Sequence, residues 1–158
     1  MLERISRQMM FMEMAKVVAK RATCFRLNVG ALVTHDNRVV SIGWNGSPPG
    51  EPHCTGHTCA GASQCRQTIH AEVNALRYIP SWDDDRVFDL YVTDSPCVDC
   101  ANYILEHGYV GRVFFATPYR IATGLDILVG EGIKVYRVLP AGYVIDWATQ
   151  QLVPEESL

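Results

Sequence analysis

Apolar positions near the start of the chain fall at Ile5, Met9, Met12, Val17 and Val18, with Glu3, Arg4, Glu13, Lys16 and Lys20 between them. This helical spacing predicts an amphipathic first helix from Leu2 to about Arg21. Met9, Met10, Met12 and Met14 read as adaptable packing residues of a core or a subunit contact. The period then shortens. Val29 to Thr34 and Arg38 to Trp44 are β-rich runs joined by His35-Asp36-Asn37, a turn-forming tripeptide, and together they predict an antiparallel hairpin.

From Asn45 to about Gln67 large apolar residues almost vanish while Gly46, Pro48, Pro49, Gly50, Pro52, Gly56 and Gly61 accumulate, which predicts a long irregular insert. Loops of this length in small domains are functional or need a staple. Helical spacing returns over His70 to Tyr78 and stops before Pro80, which disfavours the helical conformation in its predecessor. Ser81 to Arg86 reads as a charged, solvated connector. Leu90 to Thr93 is a third strand, and Pro96 to Gly108 a helix with proline near its first turn and glycine at its end. Val113 to Ala116, Thr123 to Val129 and Lys134 to Val138 predict strand, helix and fifth strand, and Ala148 to Leu158 a loosely held tail. This order predicts one α/β domain over residues 1–158, a three-layer α/β/α sandwich around a five-stranded mixed sheet.

The 158 residues are 48% hydrophobic and 20% charged, enough apolar material for one continuous core. A net charge of −3 gives no general attraction for a nucleic-acid polymer, although local cations could hold a single phosphate. No segment has the uninterrupted apolar run of a secretory signal or a membrane span, so a cytoplasmic location is expected. In that reducing compartment, six cysteines beside five histidines point to metal rather than to disulfides.

The chemistry gathers in two places. His70-Ala71-Glu72 opens one predicted helix, and Pro96-Cys97-Val98-Asp99-Cys100 opens another after a strand. The Cys-x-x-Cys pair alone fits a structural zinc half-site or a redox pair, but a redox pair leaves His70 and Glu72 without work. His70, Cys97 and Cys100 offer three ligands to a tetrahedral Zn²⁺ and leave its fourth position for water, as a catalytic zinc requires. Glu72, two residues after the imidazole, is placed to move protons as a general acid and base without ligating. Asn45 offers a donor and an acceptor to a sugar hydroxyl, and Arg26 a planar fork suited to phosphate. Either also fits a bland role, in a turn or on a solvated surface. Cys24, Cys54, Cys59 and Cys65 remain, so a second, structural zinc could pin the insert, with His53 or His57 able to replace a thiolate.

The pairing of His-x-Glu with Pro-Cys-x-x-Cys is the signature of zinc nucleobase deaminases. The chain resembles the deoxycytidylate deaminase branch of the cytidine-deaminase-like superfamily from about Cys24 to Val138. The resemblance rests on Arg26 to Ala31, on Gly43-Trp44-Asn45-Gly46-Ser47-Pro48, on Cys65-Arg66 leading to His70 to Ala75, and on Tyr91 to Thr93 leading to Pro96-Cys97. It implies hydrolysis of dCMP to dUMP and ammonia, feeding thymidylate synthesis. It also implies a homohexamer and regulation by dCTP and dTTP. Substrate contacts carry over to Ala71, Thr93, Ser95, Pro96 and Tyr119, and effector contacts to Asn28, Gly43, Trp44 and Gly46. The family loop usually has tyrosine where this chain has Trp44, a departure that bears on the effector contacts. Other readings stay open: a wider deaminase that also accepts dCTP, an RNA- or tRNA-directed adenosine deaminase sharing the zinc motif, and a zinc module for protein contact, which gives Glu72 no role.

Overall fold

The computed structural model describes residues 3–55, 67–80 and 85–158. Expectations for Leu2, for residues 56–66 of the insert and for residues 81–84 of the connector lie outside the described residues. Helix α1 spans Arg7–Ala19 and begins where the Ser6 side chain accepts a hydrogen bond from the Met9 amide at 3.1 Å. Its inward face is Gln8, Phe11, Met12, Ala15 and Ala19, whereas Ile5 is 59% and Val17 62% exposed. The sequence pattern had assigned those two to the buried stripe. Small alanines let the helix lie close to the sheet, and a hydrophobicity count undervalues them.

Strands β1 (Gly30–His35) and β2 (Arg38–Trp44) form the expected hairpin, with Asp36 and Asn37 at φ of 48° and 59°. Two consecutive left-handed residues are what a two-residue turn matching strand twist demands, and Asp and Asn tolerate that conformation. Helix α2 (Ala71–Arg77), strand β3 (Phe88–Asp94), helix α3 (Val98–His107), strand β4 (Val110–Thr117), helix α4 (Thr123–Gly130) and strand β5 (Lys134–Val138) follow. The sheet order is β2-β1-β3-β4-β5, with β3, β4 and β5 parallel and β1 antiparallel to both neighbours.

Two further strands, β6 (Val144–Asp146) and β7 (Leu152–Val153), extend the sheet beyond β5, so among the described residues it has seven strands, not five. The tail is therefore not loose. Asp146 caps the intervening turn by accepting from the Ala148 and Thr149 amides, and the Leu158 carbonyl accepts a hydrogen bond from Arg112 at 3.1 Å.

The pleat sorts side chains between two cores. On one face α1 covers Leu32, Tyr91, Phe114 and Tyr136, whose aromatic rings stack at 4.5 and 5.0 Å between centroids. On the other face α2, α3 and α4 cover Ala31, Val33, Leu90, Val92, Val113, Phe115 and Val135. The α2 helix rides directly on β2. A side chain at Gly43 would strike the Ala71 carbonyl and the Ala75 amide. Ser41 donates to the Ala75 carbonyl at 2.7 Å, and Asn74 donates to the Trp44 carbonyl at 2.8 Å. No helix among the described residues is long and apolar enough to cross a membrane.

Candidate active site

His70 and Cys97 occupy equivalent places, each as the residue that caps a helix, α2 and α3 respectively. Their helices start side by side at the carboxyl ends of the parallel strands, where open α/β sheets form their binding crevices. The start of α3 is in turn closely approached by α4 at Gly124, where a side chain would run into the Pro96 and Cys97 carbonyls. His70 Nδ1 lies 3.1 Å from Cys100 Sγ and 3.6 Å from Cys97 Sγ, and the three ligand atoms sit within 4.8 Å of one another. These separations suit a tetrahedral ion with one Zn–N and two Zn–S bonds of about 2.0 and 2.3 Å. Among the described residues this is the one group of three such side chains that converges.

The electrostatics match that use. The Cys97 thiol falls to about 4, first through its hydrogen bond with Cys100, with His70 adding to the effect. The Cys100 thiol is pushed up, first by its hydrogen bond with Cys97 and then by burial. His70 is raised, first by its bond to Cys97 and against the opposing effect of burial. Glu72 is 4% exposed, and burial lifts its carboxyl to about 7 even though the His70 charge opposes the shift. A carboxyl titrating near neutrality can both take and give a proton at working pH.

Glu72 also lines a cavity of about 290 Å³ that runs from His70 and Cys97 outward to Arg26, Tyr119 and Arg120. Of the residues expected around a substrate, Arg26, Asn45, Ala71, Ser95 and Tyr119 line it, while Thr93 and Pro96 are buried outside its lining. Asn45 has a second duty. Its Oδ1 accepts from the Val29 amide at 2.8 Å and its Nδ2 donates to the Leu27 carbonyl at 2.6 Å, so it clips the segment that carries Arg26. One lone pair and one N–H of the amide are left over. Ser95 works alike, its hydroxyl accepting from the Tyr119 amide at 2.6 Å and fixing the loop after β4.

Asn28 is exposed and Trp44 half-buried, and neither lines the cavity; Gly43 and Gly46 are buried, the first against α2 and the second in a bridge to Ile69. A ligand at that loop would therefore meet Asn28 and Trp44 and not the glycines. Cys24 is buried in the cavity wall, Cys54 is buried and His53 exposed. His57, Cys59 and Cys65 lie outside the described residues. The sequence reading missed Thr68, Asp94 and Arg120, which line the cavity. Arg120 carried a signal, since it directly follows Tyr119, whereas only the pleat of β3 reveals Asp94.

Comparison with known proteins agrees. Residues 5–117 match the model of the cytidine and deoxycytidylate deaminase zinc-binding region. ComE operon protein 2 of Bacillus subtilis (strain 168) is 36% identical over 121 residues, 75% of this chain and 64% of that protein. The deoxycytidylate deaminase of Schizosaccharomyces pombe is 31% identical over 140 residues, 82% of this chain and 43% of that protein. The chain thus spans less than two thirds of either relative. The dCMP deaminase of cyanophage S-TIM5, crystallised with dCMP and dUMP, superposes with a TM-score of 0.72 at 31% identity, covering 82% of this chain and 95% of that one. With the zinc-type ligand trio standing where the family model places its metal region, the chain belongs to the cytidine and deoxycytidylate deaminase zinc-binding family.

Proposed function

We propose that the chain is a zinc-dependent deaminase that hydrolyses dCMP to dUMP and ammonia. The observation that carries this reading is a cavity lined by His70, Cys97 and the buried Glu72, with Cys100 completing the ligand trio behind it, and by the exposed Arg26 and Arg120. His70, Cys97 and Cys100 would hold a zinc ion, which when bound would supply the Lewis acidity that makes water nucleophilic near neutral pH. Glu72 is placed to accept one proton of the attacking water and pass it to the ring nitrogen of cytosine, then to carry the second, from the new hydroxyl, to the amino group that leaves as ammonia. Burial suits it to this work by keeping its affinity for the proton close to neutral pH. Arg26 binds the phosphate, Tyr119 closes the same end, and Asn45 and Ser95 hold those two in place. The names of the S. pombe and S-TIM5 relatives support the choice of dCMP.

Ammonia release from free dCMP, set against release from tRNA and from cytidine, tests the reading. Turnover of tRNA with dCMP inert would replace it with a polynucleotide deaminase. Finer parts of the same proposal rest on the sequence and, for the hexamer and the effectors, on the family resemblance. These are one domain over 1–158, a cytoplasmic homohexamer, dCTP and dTTP as effectors, and a second zinc on Cys24, Cys54, Cys59 and Cys65. Metal analysis of the fully loaded protein that finds one zinc per chain would remove the second ion.

A further inference from the structure

Thr93, expected at the substrate, is buried outside the cavity lining and is unused by the mechanism above. The ladder between β1 and β3 ends at Ala31 and Val92. At the next facing positions a side chain takes over. The Thr93 hydroxyl accepts from the buried Gly30 amide at 3.2 Å and gives its proton to Asp94 Oδ2 at 3.0 Å. A hydroxyl can accept and donate at once, and with its proton engaged by Asp94 its lone pairs are left for the amide. One residue earlier, Asn45 Oδ1 holds the Val29 amide from the end of β2. Helix α1 lies so close to this point that a side chain at Gly30 would run into the Ala15 carbonyl and the Ala19 amide. Beyond the Gly30 and Thr93 pair the two strands become opposite parts of the cavity lining, Leu27 and Val29 before β1, Asp94 and Ser95 at the exit of β3.

We propose that Thr93 is a positioning residue that fixes the β1 side of the cavity against the β3 side, and through that spacing sets the affinity for the nucleotide. This rests on the deaminase reading and goes beyond it. The exit of β3 has its own anchor, since the Ser95 amide donates to the Thr117 carbonyl of β4 at 2.9 Å. Loss of the hydroxyl therefore frees the approach to β1 and leaves the run into Cys97 in place. A site whose wall is correctly placed for only a fraction of the time binds more weakly by that fraction, whereas the chemical step, once substrate is seated, is unchanged.

The test uses the zinc-loaded full chain as wild type, Thr93→Val, Thr93→Ala and Thr93→Ser. Valine and alanine both strand the buried Gly30 amide, the first keeping the bulk of threonine and the second making room, while serine retains the hydroxyl. Ammonia release from dCMP gives KM and kcat, and hydrogen exchange followed by NMR reads the Gly30 amide without turnover. Thr93→Val and Thr93→Ala should raise KM about fivefold, the order for one bond lost to a buried amide, with kcat changed less than about twofold. Exchange at Gly30 should quicken at least about tenfold while Leu32, deeper in β1, moves less. Thr93→Ser should keep both readouts within about twofold of wild type. A kcat loss as large as the KM change, an unmoved KM, a serine variant as impaired as valine, or failure of both hydroxyl-free variants to fold marks a packing role and overturns the proposal. Unchanged exchange at Gly30 in valine and alanine overturns this inference alone; wild type inert on dCMP overturns the deaminase reading, and this inference with it.

Discussion

At the metal end of the cavity the side chains stand on helix starts held by backbone contacts, α2 against β2 at Gly43 and α3 against α4 at Gly124, whereas at the proposed nucleotide end Arg26 and Tyr119 stand on loops tied by one amide and one hydroxyl. The first arrangement has little freedom to relax, because moving α2 means displacing main-chain atoms of β2. The second can loosen one bond at a time. Substitutions at the metal end should therefore damage turnover or stability, and those at the nucleotide end should mostly weaken substrate binding.

The largest effect belongs to Glu72→Gln, which should lower kcat by at least about 10³-fold while bound zinc stays unchanged; a variant that keeps its turnover would end the comparison at the metal end. Chelation should abolish activity and added Zn²⁺ restore it. The zinc-free protein sharpens the point through pH. Burial raises the Glu72 carboxyl from 4.5 to about 7, so the folded state holds a proton that the unfolded chain has already lost in that window. Relative to zinc-free Glu72→Gln, the wild type should keep its stability below about pH 4.5 and lose on the order of 3 kcal/mol as pH rises through 7. Denaturant melts of both proteins at pH 4.5 and 7.5 measure this.

Gly43→Ala drives a methyl group into the α2 backbone and should cost about 2 kcal/mol of stability together with zinc affinity. If calorimetry finds it neutral, α2 is less tightly seated than the contacts indicate. Asn45→Ala frees two backbone groups and should raise KM for dCMP about tenfold, the order expected when two such bonds are lost, with kcat nearly kept. Ser95→Ala removes one bond to the Tyr119 amide and should have the smallest effect, about 1 kcal/mol in substrate binding. A loss in kcat as large as that in KM for either variant would erase the distinction between the two ends.

The metal end was also the part most readable from sequence, for a physical reason. A ligand set must recur at fixed spacing from helix starts, so His70, Glu72, Cys97 and Cys100 announce themselves through the neighbouring proline and the apolar strand before it. The nucleotide end is assembled from segments far apart in the chain, and neither Asp94 nor Arg120 has a local pattern that sets it apart from a solvated charge. The hairpin and the parallel strands were legible because their apolar runs are long. Strands β6 and β7, of three and two residues, are too short to show a period and depend on pairing, β6 with β5 and β7 with β6. In α1 the helix was clear but its inward face was not, because Ala15 and Ala19 are buried there through closeness of fit.

Strand β3 passes without interruption into Ser95, Pro96 and Cys97, so the Thr93 hydroxyl, the Asp94 carboxylate, the loop tie at Ser95 and the Cys97 thiol leave it as one run. An in-frame deletion of a single codon within Leu90 to Asp94 would exchange the two faces of everything upstream of it. Such a lesion would uncouple the aromatic stack under α1 from the catalytic chemistry in one step. This stretch of the gene can drift by replacement, but it has almost no freedom to drift in length.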